Sequence, residues 1–147
     1  MESSGIAYPW IVKRDIDGFF GLAIDNLIQF LLIAALCPII AGIPSEFVFT
    51  RIMPGAALSV IIGNLFYSWQ ARKLAIKEKR ADVTALPYGI NTVSLFAYLI
   101  FIMGPVYRET GSYEMAWKVG LLACFGSGII EFAGAFCVDI LRRITPR

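Results

Sequence analysis

The 147-residue chain is 58% hydrophobic and 16% charged, with a mean hydropathy of +0.70. Soluble domains are about 45–50% apolar, so the excess is surface made to face lipid. A net charge of +2 leaves no electrostatic footprint for nucleic acid, and the absence of histidine removes the commonest general base and metal ligand. Cys37, Cys124 and Cys137 are scattered through apolar runs and odd in number, which fits small buried side chains better than disulfides or zinc. No nucleophile stands paired with a base and no metal-ligand cluster is legible, so no catalytic residue, metal or cofactor is expected. The N-terminus does not read as a secretory signal, because its first apolar run is long and no small-residue cleavage site closes it.

In chain order, residues 1–17 form a polar N-terminal segment in which Tyr8 and Trp10 are interfacial anchors and Lys13-Arg14 is a basic pair. A first span is expected over 18–40, interrupted by Asp25, Asn26 and Gln29. Asp25 and Gln29 are four residues apart and share a helix face. Asp25 has two readings: a carboxylate within the span, facing protein or water and carrying a proton or packing there, or a solvated first-turn residue of a helix that starts near Leu27. Pro38 lies near the far end, and Gly42-Ile43-Pro44-Ser45 closes the helix.

Residues 41–53 read as a short loop carrying Glu46 and Arg51. Pro54-Gly55 then opens a second span over 55–71. Gly55, Ser59 and Gly63 recur every four residues and make a small-residue stripe for a neighbouring helix; Asn64 beside it is either glue to that helix or a ligand contact. Tyr67 and Trp69 mark the interface. Arg72, Lys73, Lys77, Lys79 and Arg80, with Glu78 and Asp82 among them, read as a cytoplasmic loop.

The most informative stretch is the uncharged run from Ala85 to Tyr107, long enough for a span of ~20 residues. Its first third is not built as a helix. Pro87 lacks a donor and biases Leu86 to extended geometry, Gly89 loosens the chain, and Asn91-Thr92 offers caps where the apolar helix Val93 to Met103 begins. A short strand over Thr84 to Thr92 running into a half-helix is therefore expected, with Gly104-Pro105 ending the helix. Irregular backbone at membrane depth survives only where protein buries it or where it lines a cavity, and broken spans point to transporter binding sites. The half-helix would aim its first N–H groups at such a cavity.

After a mixed-charge loop, a fourth span is expected over 116–141. Gly120, Cys124, Gly128, Glu131 and Ala135 lie on one face, which directs Glu131 toward packed helices. Glu131 has two readings, a proton-carrying group or a carboxyl that bonds to a neighbouring helix. Asp139 with Arg142 and Arg143 reads as a solvated ion pair. Four crossings put Lys13, Arg14, the Arg72–Arg80 run, Arg142, Arg143 and Arg147 on one side, against Arg51, Arg108 and Lys118 on the other. Both termini are then expected to be cytoplasmic.

Gln29-Phe30-Leu31-Leu32 through Pro38, Pro54-Gly55, Thr84 to Thr92, and Gly126-Ser127-Gly128-Ile129-Ile130-Glu131-Phe132-Ala133-Gly134 ending in Arg142-Arg143-Ile144-Thr145-Pro146 resemble the first four spans of the xanthine/uracil permeases. These nucleobase and ascorbate transporters share their fold with the sulfate permeases. The resemblance implies an all-α integral membrane protein of four segments, the third a short strand plus half-helix, forming the N-terminal part of a 7+7 inverted-repeat core. Residues 18–147 would be a partial core domain, in the plasma (inner) membrane. The implied substrate contacts are Tyr88, Gly89, Ile90 and Asn91, with Gln29 and Ala34 lining the same cavity. Glu131 departs from the pattern, standing where relatives carry an amide. A proton or sodium ion is the implied coupling ion. The implied partners are the lipid bilayer, a small-molecule substrate, the remainder of the permease or partner chains, and a second copy in a homodimer.

Two alternatives stand beside a nucleobase permease. One is an anion carrier of the sulfate-permease kind; the other is a non-transporting four-helix membrane subunit, which requires a continuous third helix.

Overall fold

The computed structural model describes residues 9–137, and within them every regular element is helical. The elements are α1 (Asp15–Ala41), α2 (Ser45–Phe47), a π-helical segment π1 (Val48–Ile52), α3 (Met53–Glu78), α4 (Thr92–Ala97), a second π-helical segment π2 (Tyr98–Met103), α5 (Gly104–Thr110) and α6 (Tyr113–Phe136). Among the described residues three helices are long and apolar enough to cross a membrane: Asp15–Ala41, the run Ser45–Glu78, and Tyr113–Phe136. Residues 138–141 of the expected fourth span, and the Asp139, Arg142 and Arg143 cluster, lie outside the described residues, as does Tyr8.

Several expectations need correction. The loop expected over 41–53 is mostly helix, and the second helix runs far beyond 55–71 at both ends. The cause is visible at Pro54. A proline cannot donate to the carbonyl four residues back and its ring crowds that carbonyl, here Thr50 in π1; the wider π turn absorbs the conflict. Pro105 repeats the device, with Phe101 in π2 four residues before it, so the helix continues through Gly104-Pro105 to Thr110 instead of ending there. At the other end α3 carries Arg72, Lys73 and Lys77 within its last turns, so most of the expected basic loop is helix. The third span is not among the helices long and apolar enough to cross, because its helix begins only at Thr92 and ends on Arg108 and Glu109. No strand forms among the described residues, and the segment expected as one is irregular.

The chain divides into two compact units, Met1–Ala35 with Ser45–Thr92, and Leu36–Pro44 with Val93–Arg147. In the first, the irregular segment ties α1 to α3. The unit's buried positions along α1 are Asn26, Gln29 and Ile33, at helical spacing and beginning with two polar residues; Cys37 and Ala41, also buried, belong to the second unit. In the second unit π2 and α5 pack on the N-terminal half of α6, where Leu99, Met103 and Ala116 are buried and Met103 lies over Gly120. The end of α1 is closed by Gly42 at φ +61°, while Ile43 N–H reaches back to Cys37 C=O at 3.3 Å. A side chain at Gly42 would be strained in that left-handed turn and would overlap the Tyr107 ring. Ser112 caps α6 by accepting from Met115 N–H at 3.3 Å.

Candidate functional site

Residues 81–91 have no regular partner, and each main-chain group buried there needs one. Pro87 cannot donate and sets the chain course into Tyr88. At Tyr88 the side chain of Asn64 from α3 acts as a rung of missing sheet. Tyr88 N–H donates to Asn64 Oδ1 at 3.2 Å and Tyr88 C=O accepts from Asn64 Nδ2 at 2.7 Å. Two residues on, Ile90 N–H donates to Asn26 Oδ1 of α1 at 3.4 Å. The bonds at 88 and 90 thus go to two different helices instead of one neighbouring strand, which is why the stretch is held in place without becoming a strand.

Both asparagines are themselves fixed. Asn26 Nδ2 donates to Leu22 C=O at 2.9 Å and Asn64 Nδ2 to Val60 C=O at 2.8 Å, each one turn back on its own helix. The Tyr88 ring lies on Gly63, where any Cβ would overlap it, with its hydroxyl 3.4 Å from Ser59 Oγ and its centroid 6.1 Å from that of Tyr67. The stripe Gly55, Ser59, Gly63 therefore receives the Tyr88 ring at its last two members, not the expected neighbouring helix.

Gln29 completes the arrangement. Its Nε2 donates to Thr92 Oγ1 at 2.6 Å, the residue with which α4 begins, and so fixes where the irregular segment becomes helix. Gln29 is only 3% exposed, and its Oε1 has no hydrogen-bond partner among the described residues. A buried acceptor left unmatched costs on the order of 1–3 kcal/mol. Such a group has room for a donor that the described residues do not supply.

The expected residues are distributed as follows. Tyr88, Gly89, Ile90 and Asn91 lie on the irregular segment, with Tyr88 and Ile90 half-buried and Gly89 and Asn91 exposed. Gln29 meets the end of that segment. Ala34 is half-buried further along α1, and no hydrogen bond draws it to the others. Asp25, four residues before Gln29 on α1, is exposed, and the buried polar pair is Asn26 and Gln29, since three residues turn a helix back to the same side nearly as well as four. Glu131 is also exposed, accepting from Ser127 Oγ at 3.4 Å one turn away, and belongs to the second unit. Its expected packing against a helix is absent among the described residues, since π2 and α5 cover only the N-terminal half of α6. A shallow apolar depression formed by Cys124, Phe125, Gly128, Ile129 and Phe132 is this same open helix face, without polar groups that converge.

Asn26, Asn64, Gly63 and Thr92 are not among the site residues expected from the sequence, which places Asn26 beside Gln29 and reads Asn64 as either glue or a ligand contact. The signal was present: an amide in each of two spans and an irregular stretch with backbone groups to satisfy. Just before that stretch Arg80 binds Asp82 at 2.9 Å and Glu78 at 3.1 Å. The Arg80 hydrogen bond, aided by Asp82's own backbone, holds the Asp82 carboxyl below its usual range. The site itself is uncharged and amide-rich, suited to a neutral polar ligand. Comparison of the chain with protein-family models, with curated proteins and with solved structures found no match.

Proposed function

We propose that this chain is the N-terminal part of a secondary-active permease of the xanthine/uracil type, moving a nucleobase or similar small polar ring by elevator-like alternating access with a proton or sodium ion. The observation that carries the proposal is the buried Gln29 amide, fixed through Nε2 to Thr92 and left with Oε1 unmatched beside the irregular segment. A lactam ring offers N–H donors for that oxygen, and its flat face suits a half-buried tyrosine such as Tyr88. Sulfate is an acceptor without donors at neutral pH and leaves Oε1 unmatched, which favours the nucleobase over the anion carrier. The helix that begins only at Thr92 speaks against the non-transporting subunit, which calls for a continuous third helix.

The same proposal includes four crossings, with Thr92–Thr110 and the segment before it as the third, both ends cytoplasmic, and the remaining spans supplied by further chain or by partner chains. Glu131 and Asp25 are exposed here and would meet that remainder, either as proton carriers or as packing groups. The test is equilibrium binding of labelled uracil or xanthine to the gene product reconstituted in bilayers, with sulfate as competitor. Saturable binding that Gln29→Ala weakens by tenfold or more and sulfate leaves unchanged supports the reading, since a lost buried hydrogen bond to a ligand amounts to roughly 1–3 kcal/mol. Binding of sulfate instead, or of neither, overturns it.

A further inference from the structure

The first unit carries a second feature that the transport reading does not use. Trp10, on the approach to α1, stacks against Arg72 near the end of α3, with the guanidinium carbon 4.5 Å from the ring centroid. One position further, Lys73 Nζ lies 5.0 Å from the centroid of Trp69. The stacking brings Lys13 and Arg14 to the same end of the unit as Arg72, Lys73 and Lys77, so five basic residues and two exposed indoles share one rim of two membrane-spanning helices.

The acids nearby offset only part of this charge. Glu78 and Asp82 are both bound by the single guanidinium of Arg80, whereas Asp15, which accepts from Val12 N–H at 2.7 Å, and Asp17 keep their charge in the first turn of α1. Lys13, Arg14, Lys73, Lys77 and Lys79 have no carboxylate within ion-pair distance among the described residues. Indoles at the edge of a span settle at headgroup depth, and Ile11 and Val12, exposed beside Trp10, give that edge an apolar lip. Basic clusters directly flanking a span attract anionic lipid.

We propose that this rim is a binding site for the phosphodiester headgroup of an anionic phospholipid, held by Lys73, Lys77, Lys13 and Arg14 with Trp10 and Trp69 against its glycerol and upper acyl chain. The inference needs only the spanning helices and stands apart from the transport reading.

The test uses the complete chain with Trp117→Phe, so that fluorescence comes from Trp10 and Trp69, in phosphatidylcholine nanodiscs containing roughly a tenth of a brominated lipid. Brominated phosphatidylglycerol is expected to quench several-fold more than brominated phosphatidylcholine at the same fraction. The preference should shrink as salt rises from about 0.05 to about 0.5 M, because the headgroup contact is only partly shielded from ions. Lys73→Gln with Lys77→Gln should abolish the preference while leaving quenching by phosphatidylcholine unchanged, which also shows that the variant still sits in the bilayer. Equal quenching by the two lipids in the parent chain overturns the proposal. So does loss of the preference on adding inorganic phosphate where sodium chloride at the same ionic strength only reduces it, since the site would then take a soluble anion.

Discussion

Each unit has a π turn ahead of a proline, and the first adds an interruption of the opposite kind. In the first, residues 81–91 abandon helical geometry altogether, and the side chains of Asn26 and Asn64 supply the hydrogen bonds that regular structure would have provided. In the second, π2 keeps its hydrogen bonds within the main chain by widening one turn ahead of Pro105, and it is bedded in Leu99 and Met103 against α6. Both meet the requirement that lipid cannot satisfy backbone groups. The difference lies in what is left over. A widened turn closed by its own backbone has no spare polar capacity, whereas side-chain amides recruited from neighbouring helices carry more donors and acceptors than the segment uses. Gln29 Oε1 is such a remainder, and it lies where the unit could offer something to a ligand.

The sharpest way to break the comparison is Asn64→Leu. It removes both partners of Tyr88 at once, and each orphaned group costs about 1–3 kcal/mol, so a loss of roughly 2–6 kcal/mol is expected in detergent-induced unfolding of the first unit. Melting no different from the parent would mean that the amide rung is incidental. Gly63→Val should come next, at about 1–3 kcal/mol, by forcing the Tyr88 ring off α3. Its signature is local: hydrogen exchange should quicken at Tyr88 and Ile90 while the α6 amides keep their protection.

These two residues also show what was legible beforehand. The apolar runs announced membrane helices, and Pro87 with Gly89 announced that the third run would not begin as a helix. A strand, however, needs a second strand, and nothing in the residues 84–92 themselves says that their partners will be asparagine side chains on two helices. Pro54 and Pro105 misled in the opposite direction. Pro54 reads as a helix start and Pro105 as a helix end, and only the three-dimensional chain reveals that a π turn in front of each lets the helix run through. Asp25 and Glu131 were singled out because carboxylates in spans are costly, yet both are exposed here, while the neutral Asn26 and Gln29 are buried. Cost points to a residue that must be accommodated, not to the surface that accommodates it.

Pro105→Ala probes the second unit alone. The restored N–H can bond the Phe101 carbonyl, which is worth about 1 kcal/mol, but closing the bulge rotates Leu99 away from its seat. A net change within about 1 kcal/mol is expected, with the amide that the substitution adds at residue 105 protected from hydrogen exchange. Unaltered exchange across π2 would assign the bulge to packing on α6 rather than to proline, and the contrast with the first unit would then rest on side-chain contacts in both.

The smallest effect concerns the junction where the first unit leaves α3. Lys79 closes that helix at φ 52° and ψ 42°, in the left-handed region that costs a non-glycine residue about 1–2 kcal/mol, while Arg80 N–H returns to Ala75 C=O at 3.1 Å. Lys79→Gly removes the steric cost but adds freedom to the unfolded chain, so the expected net gain is under about 1 kcal/mol, read as a small rise in melting temperature. The gain should appear without any change in Asn64 or Tyr88 exchange, because a helix cap and an amide rung act on different groups. If relieving the strain at the cap also slowed exchange at Tyr88, the irregular segment would be governed by the geometry with which it leaves α3, and the amides would only be fastening a course already set at Lys79.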